Sequence, residues 1–235
     1  PNSFGEDFTL TDINGDEFNL YEVLDEGKTV VLDLFATWCG PCWSFAETGV
    51  LEDIQEAYPD EVVCVAVEAD PSTPESEIFN SSYGDWTDVI DYALMDDPSG
   101  DVANDYALAY YPTIYKICPD RMVTEIGAGP SNSNNYWSVN TLYNELSSCS
   151  QASYSKDMKM LMMNGAAAHC GGTAYPVVTV QNYSTNATVS DFEILAMQNG
   201  QVLSETSWSG SLDLYQTATV ELNPVDGLSG NENLT

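Results

Sequence analysis

Cys39 and Cys42 lie two residues apart in Trp38-Cys39-Gly40-Pro41-Cys42. Thiols at that spacing can close a small reversible disulfide. If the first stands at a helix N-terminus, the unpaired N–H groups and partial positive charge there stabilise its thiolate. Cys39 is then the nucleophile. Cys42, one turn further and less exposed, is the resolving thiol that frees a mixed disulfide. Pro41 suits a first helical turn, where its missing N–H costs nothing. A bare C-x-x-C also occurs as half of a zinc site, but Cys64, Cys118, Cys149 and Cys170 are too scattered to supply a second such pair. Scattered cysteines beside a redox pair point to an oxidising compartment and one or two structural bridges.

Other side chains with possible chemistry carry weaker signals. Asp12, Asn14 and Asp16 resemble the start of a calcium loop, but the bidentate Glu is missing and the Gly is misplaced, so a hairpin turn at Asn14-Gly15 is the reading. Met158, Met160, Met162 and Met163 lie near His169 and Cys170. Such soft ligands suit Cu(I), although a methionine-rich stretch more often packs plastically between domains. No metal or other cofactor is therefore assigned. His169 is the only histidine and has no supporting hydrolase motif. A peroxidase of the P-x-x-x-T-x-x-C type does not fit, because Thr37 has the wrong spacing to Cys39 and no matching Pro precedes it.

The redox pair needs a strand and a helix to hold it. Thr29–Ala36, TVVLDLFA, reads as a strand buried on both faces, with Asp33 as its single acid. Trp43 to about Tyr58 reads as a helix, and Glu61–Ala69, EVVCVAVEA, as a second buried strand, which implies a right-handed crossover. An acidic insertion follows over 70–98, with a short helix and a strand near Tyr92–Met95. Asp101–Tyr110 has helical spacing. Pro112–Cys118 and Met122–Gly127 form a hairpin, and Trp137–Ser148 a closing helix. Residues 1–150 thus form one α/β unit, a central mixed sheet flanked by helices. Residues 151–172, rich in Met, Ala and Gly, read as a junction. Residues 173–235 read as an all-β, immunoglobulin-like sandwich. Only about four strands are legible there, against the roughly seven such sandwiches use, so the module reads as clipped.

The chain has 37 acidic and 5 basic residues, a formal charge of -32. Nucleic acid and anionic membranes are repelled by such a surface. The acid is spread along the whole chain, which suits solubility in a salty or cold medium; the alternative reading is a field that steers basic or neutral partners towards the protein. No apolar run approaches the ~18 residues of a membrane helix. Pro1 opens the chain in place of an initiator Met, as in a mature or trimmed chain.

Val30–Cys42, VVLDLFATWCGPC, resembles the thioredoxin superfamily. Phe8-Thr9-Leu10 with Asn14-Gly15, the ATWCGPC run and Asp97-Pro98-Ser99-Gly100-Asp101-Val102-Ala103 with Tyr106 are more similar to its exported TlpA/ResA-type branch, over roughly residues 4–149. The resemblance implies a thioredoxin fold, an extracytoplasmic location (periplasmic, cell-surface or secreted) and disulfide exchange with protein thiols and an unidentified redox partner. It implies that Asp33, six residues before Cys39, is a buried acid that takes the resolving thiol's proton. It places Tyr111-Pro112 at the family's cis-proline, whose backbone pairs with an extended substrate, and Trp38 over the disulfide. Gly40-Pro41 resembles the reducing members. Three positions depart from the pattern: Glu47 replaces a kink-forming Pro, Phe45 the glutamate of cytochrome-maturation members, and Trp43 a basic residue. In such a fold Cys118 and Cys149 fall on the face away from the active site, which favours a structural Cys118–Cys149 bridge; the rival pairing is Cys149–Cys170. Cys64, inside a buried strand, reads as a small apolar side chain. The competing functional class is a secreted binding or adhesion protein that uses the fold as a scaffold.

Overall fold

The computed structural model describes residues 3–131, 135–149, 152–164, 172–185 and 187–228. The chain divides into two compact units, Pro1–Ser150 and Gln151–Thr235.

The first unit runs β1 (Ser3–Phe4), β2 (Thr9–Thr11), β3 (Glu17–Asn19), α1 (Leu20–Asp25), β4 (Thr29–Phe35), α2 (Gly40–Ala46), α3 (Val50–Ala57), β5 (Val62–Glu68), α4 (Ser76–Phe79), β6 (Ala93–Asp96), α5 (Asp101–Asp105), β7 (Thr113–Ile117), β8 (Met122–Glu125) and α6 (Val139–Leu146). Six strands form one mixed sheet in the order β1-β8-β7-β4-β5-β6. β4, β5 and β6 are parallel, while β7 and β8 run antiparallel. Every residue of β4 is buried, as its unbroken apolar run demands of a strand covered on both faces. Val30, Leu32 and Leu34 face one core; Val31 and Phe35, with Cys64 and Ala66 of β5, face the other, where α2, α3 and α6 pack. The two-residue period of the strand puts Asp33 on the face of Val31 and Phe35.

One local expectation changes and one holds. Residues 43–58 are two helices, not one, because Gly49 takes a left-handed φ of 64° between them. The Thr48 hydroxyl donates to the Phe45 carbonyl, closing α2. A side chain at 49 would be strained in that conformation, so glycine does here what a proline kink does in the resembled family. At the β2–β3 hairpin, Asp12 Oδ1 accepts the N–H groups of Asn14 and Asp16. That carboxylate is occupied by its own turn.

Cys118, just after β7, is bonded to Cys149, just after α6. Lys116 adds a buried tie, donating to Glu145 Oε1 at 2.7 Å and to Ser148 Oγ at 2.7 Å. The bridge closes 31 residues of chain, so its loss should cost about 3–4 kcal/mol of unfolding free energy by loop entropy. A Cys118→Ala/Cys149→Ala double variant, unfolded in denaturant under oxidising conditions, tests this. An unchanged midpoint and slope would show that the bridge constrains nothing.

The second unit contains seven strands among the described residues: β9 (Met158–Asn164), β10 (Gly172–Ala174), β11 (Val177–Asn182), β12 (Val189–Gln198), β13 (Gln201–Leu212), β14 (Thr217–Glu221) and β15 (Val225–Leu228). They form antiparallel sheets β14-β11-β9, β12-β13 and β10-β15. This corrects two expectations: the strand count of four, and the assignment of the methionine stretch to a junction. Methionine has no strand preference of its own; Met158–Asn164 is a strand because β11 offers it a ladder, and such pairing outweighs propensity. Met160 and Met163 are exposed along it. His169 and Cys170, and with them the rest of the copper reading, lie outside the described residues; the rival Cys149–Cys170 pairing is corrected by the bond of Cys149 to Cys118. Val178, Val180, Ile194, Ala196, Val220 and Leu222 build the unit's core.

Candidate active site

β4 delivers the chain to the C-terminal end of the parallel strands, where ligands gather in open α/β sheets. There the chain turns: the Cys39 N–H donates to the Ala36 carbonyl at 2.9 Å. Cys39 is the N-cap of α2, in extended conformation, and its Sγ accepts the Cys42 N–H at 3.1 Å. Pro41 occupies the first turn. Cys39 and Cys42 form a disulfide and are 4% and 2% exposed.

Of the two, Cys39 lines an open groove of about 650 Å³, together with Gly40, Pro41, Pro71, Leu108 and Tyr111. Trp38 stands over it, 55% exposed. Its indole N–H donates to the Asp70 carboxylate at 2.8 Å, and its ring meets Tyr111 edge-on at 5.5 Å. The Tyr111 hydroxyl donates to the Ala69 carbonyl at 3.0 Å. The Tyr111-Pro112 peptide is cis. So Trp38, Gly40, Pro41 and Tyr111 line the groove with Cys39, although they come from two distant stretches of chain, and Pro112 follows Tyr111 across the cis bond. Cys118 and Cys149 do not join them. They sit past Ile117, which pairs with Val30 at the start of β4, whereas Thr113 pairs with Leu34 at the active-site end.

Asp33 lies beneath, in the same face of the sheet as the helix carrying Cys42. It is 2% exposed, and its Oδ1 has no hydrogen-bond partner. Burial pushes its carboxyl up to about 8, with the negative charge of Glu52 adding to the shift. A group in that range can take up and release a proton at physiological pH.

Two features were not anticipated from the sequence. Glu68, the last residue of β5, is buried; one carboxyl oxygen accepts the Thr37 N–H and the other the Asp70 N–H, each at 3.3 Å. It thereby ties the loop that carries Trp38 to the loop that holds its indole. Burial pushes this carboxyl up to about 8, with Asp96 and Asp70 adding to it. The available signal was the one that drew attention to Asp33, a single acid closing an apolar strand. The second feature is an aromatic wall on the other side of the disulfide. Tyr83, from the acidic insertion, stacks on Trp43 at 6.3 Å, and Trp43 meets buried Trp86 edge-on at 5.1 Å. A Cβ at Gly40 would come within 2.6 Å of the Tyr83 hydroxyl oxygen, so glycine leaves room for that ring.

Parts of the chain are similar to known proteins. The chain is 31% identical over 123 residues to the thioredoxin-like protein YneN of Bacillus subtilis, covering 52% of this chain and 68% of that one. It is 32% identical over 105 residues to the thiol-disulfide oxidoreductase ResA of Oceanobacillus iheyensis, covering 44% of this chain and about half of that protein, 51%. Among solved structures, the exposed lipoprotein thioredoxin of Streptococcus pneumoniae aligns with a TM-score of 0.47 and 23% identity, over 60% of this chain and 98% of that one. The family model described as the AhpC/TSA family matches residues 3–126, more than half of the chain. With its C-x-x-C disulfide at the end of β4 and its central mixed sheet, the chain belongs to the AhpC/TSA family, on the thioredoxin-like side where relatives are named thiol-disulfide oxidoreductases.

Proposed function

We propose that the first unit catalyses thiol–disulfide exchange on protein substrates and that it runs in the reducing direction. The observation that carries this is the asymmetry of the pair: Cys39 opens onto the groove, while Cys42 is buried behind it and absent from its lining. The Cys39 thiolate attacks a substrate disulfide and displaces one substrate thiolate. The Cys42 thiol gives its proton to Asp33 and attacks Cys39 Sγ. The second substrate thiolate leaves, and the protein holds the disulfide. Two electrons have passed to the substrate. A thiol reductant of the protein then restores the pair. The groove admits an extended segment beside Trp38, Tyr111 and Pro112, whose backbone groups can pair with it.

The direction rests on Gly40-Pro41 and on the surrounding negative charge, which disfavours a thiolate and so favours the disulfide form of the enzyme. The Cys118–Cys149 bridge, remote from the exchanging pair, supports an extracytoplasmic location. Among the described residues no helix is long and apolar enough to cross a membrane. The seven antiparallel strands and common core of the second unit support an immunoglobulin-like accessory module over residues 173–235, joined by β9 before it.

Catalytic amounts of the protein should speed the reduction of insulin disulfides by dithiothreitol, read as precipitation of the B chain. A rate equal to dithiothreitol alone would overturn the proposal and leave the scaffold reading, a secreted binding protein.

A further inference from the structure

The proposed chemistry leaves one step without a route. Asp33 takes the proton of Cys42 in the middle of the sheet, where its Oδ1 touches neither water-exposed surface nor a hydrogen-bond donor. To act again it must pass the proton on. The substrate groove is a poor exit, because an occupied groove is closed.

A second opening exists on the other side of α2 and α3. About 260 Å³ in volume, it is lined by Glu47, Gly49, Glu52, Asp88, Ile90 and Asp91, and it shares no residue with the substrate groove. It sits where Gly49 breaks the helix. Glu52, in the first turn of α3, lines it and yet also has a buried carboxyl oxygen, Oε1, without a partner. Helix α3 is held against β5 by Gln55, whose side-chain oxygen accepts the Cys64 N–H at 2.7 Å. Two unpartnered buried carboxyl oxygens, one on the central strand and one on the adjoining helix, are rare in folded proteins and call for an explanation.

We propose that Glu52 is a positioning residue that relays the proton between Asp33 and solvent through the opening at the helix break. This rests on the reading of Asp33 given above. The proton leaves Cys42 Sγ for Asp33, passes to Glu52 and leaves to water beside Asp88 and Asp91; both carboxyls return to their starting state. The groups facing Glu52 are Asp33 from β4, Cys64 from β5, Asp91 and Tyr92 from the segment before β6, and Asp53 from its own helix. None is a cation. Burial pushes the Glu52 carboxyl up, eased by the backbone amides of Glu52 itself and of Asp91. Its titration is thereby brought toward that of Asp33, as a relay requires. Among the described residues no three His, Cys, Asp or Glu side chains converge as metal ligands.

The test is the pH profile of the resolving step, measured by rapid mixing as release of thiol from a preformed mixed disulfide on Cys39. In Glu52→Gln the plateau rate should fall about tenfold, within what one proton-transfer group contributes. The inflection should move about one pH unit lower as the repulsion on Asp33 disappears. Glu52→Asp should recover most of the rate. Glu47→Gln, which lines the same opening without an orphaned oxygen, should match the wild type. Should Glu52→Gln not fold, carbon-detected NMR of the intact protein decides instead. Asp33 and Glu52 should then titrate as a coupled pair in two steps, and independent single titrations would overturn the relay. So would a Glu52→Gln profile identical to wild type while Asp33→Asn alters both plateau and inflection. A wild-type protein with no exchange activity would instead sink the underlying reading.

Discussion

Cys39→Ser is expected to lower disulfide exchange to background, a loss on the order of a thousandfold or more, while Cys42→Ser stalls after the first step. The two variants differ because the two sulfurs have different surroundings. Cys39 caps α2 and accepts the Cys42 N–H through its sulfur, a contact that strengthens when the sulfur carries charge. It also borders the groove. Serine there has a hydroxyl far too weakly acidic to replace a thiolate. Cys42 has no access to the groove, so it cannot start the exchange, but it stands within bonding reach of Cys39 Sγ. Without it the mixed disulfide has no internal attacker and persists until external thiol arrives. Incubating Cys42→Ser with a lysate of disulfide-containing proteins should therefore load Cys39 with partners that dithiothreitol releases, whereas the Cys39→Ser/Cys42→Ser protein captures none. Equal loading of Cys39→Ser and Cys42→Ser would show that the two sulfurs do not divide the roles, and heavier loading of Cys39→Ser would reverse the assignment.

The parts of this site that could be read from sequence are those fixed by short spacing. A separation of three residues makes Cys39 and Cys42 a pair, and the unbroken run around Asp33 forces that carboxyl indoors whatever the rest of the chain does. The same reading found the mixed sheet and its flanking helices. What it missed depends on register between distant segments. Glu68 acquires its role only because β5 ends beside the turn after β4, so that its carboxyl meets the Thr37 and Asp70 amides. Glu52 looks like any acid in the first turn of a helix; its buried oxygen is visible only once α3 lies on the sheet. Tyr83 is one aromatic in an acidic insertion until Gly40 is seen to leave space for it. The break at Gly49 was hidden for a different reason. A single glycine inside an otherwise helical run costs only about 1 kcal/mol, so the pattern alone does not separate one long helix from two short ones. In the second unit, methionines conceal strand β9 because their side chains report neither period 2 nor period 3.6.

Charge should decide which disulfides react with the reduced protein. At ~10 mM ionic strength the reduced protein is expected to attack cystamine about a thousandfold faster than oxidised glutathione, and at ~0.5 M salt the ratio should fall to about tenfold or less. Both rates are normalised to those of a small uncharged thiol. Residues 1–150 hold 29 acidic and three basic side chains. All three cations are already paired: Lys28 with Glu26 at 2.9 Å, Lys116 with Glu145 at 2.7 Å and Arg121 with Asp25 at 3.1 Å. The unpaired excess is thus entirely negative, and carboxylates such as Asp70 stand at the groove itself, bonded to Trp38. Cystamine carries two positive charges and oxidised glutathione a net negative charge, so the same potential speeds one encounter and slows the other. Salt screens these terms within a Debye length but leaves contact chemistry at the disulfide unchanged. A ratio near one at low salt would show that the field at Cys39 is cancelled locally, by the α2 amides and the aromatic walls, and that net charge has no part in selection. A large, salt-sensitive ratio would point to protein substrates whose reactive cysteines are flanked by lysine or arginine.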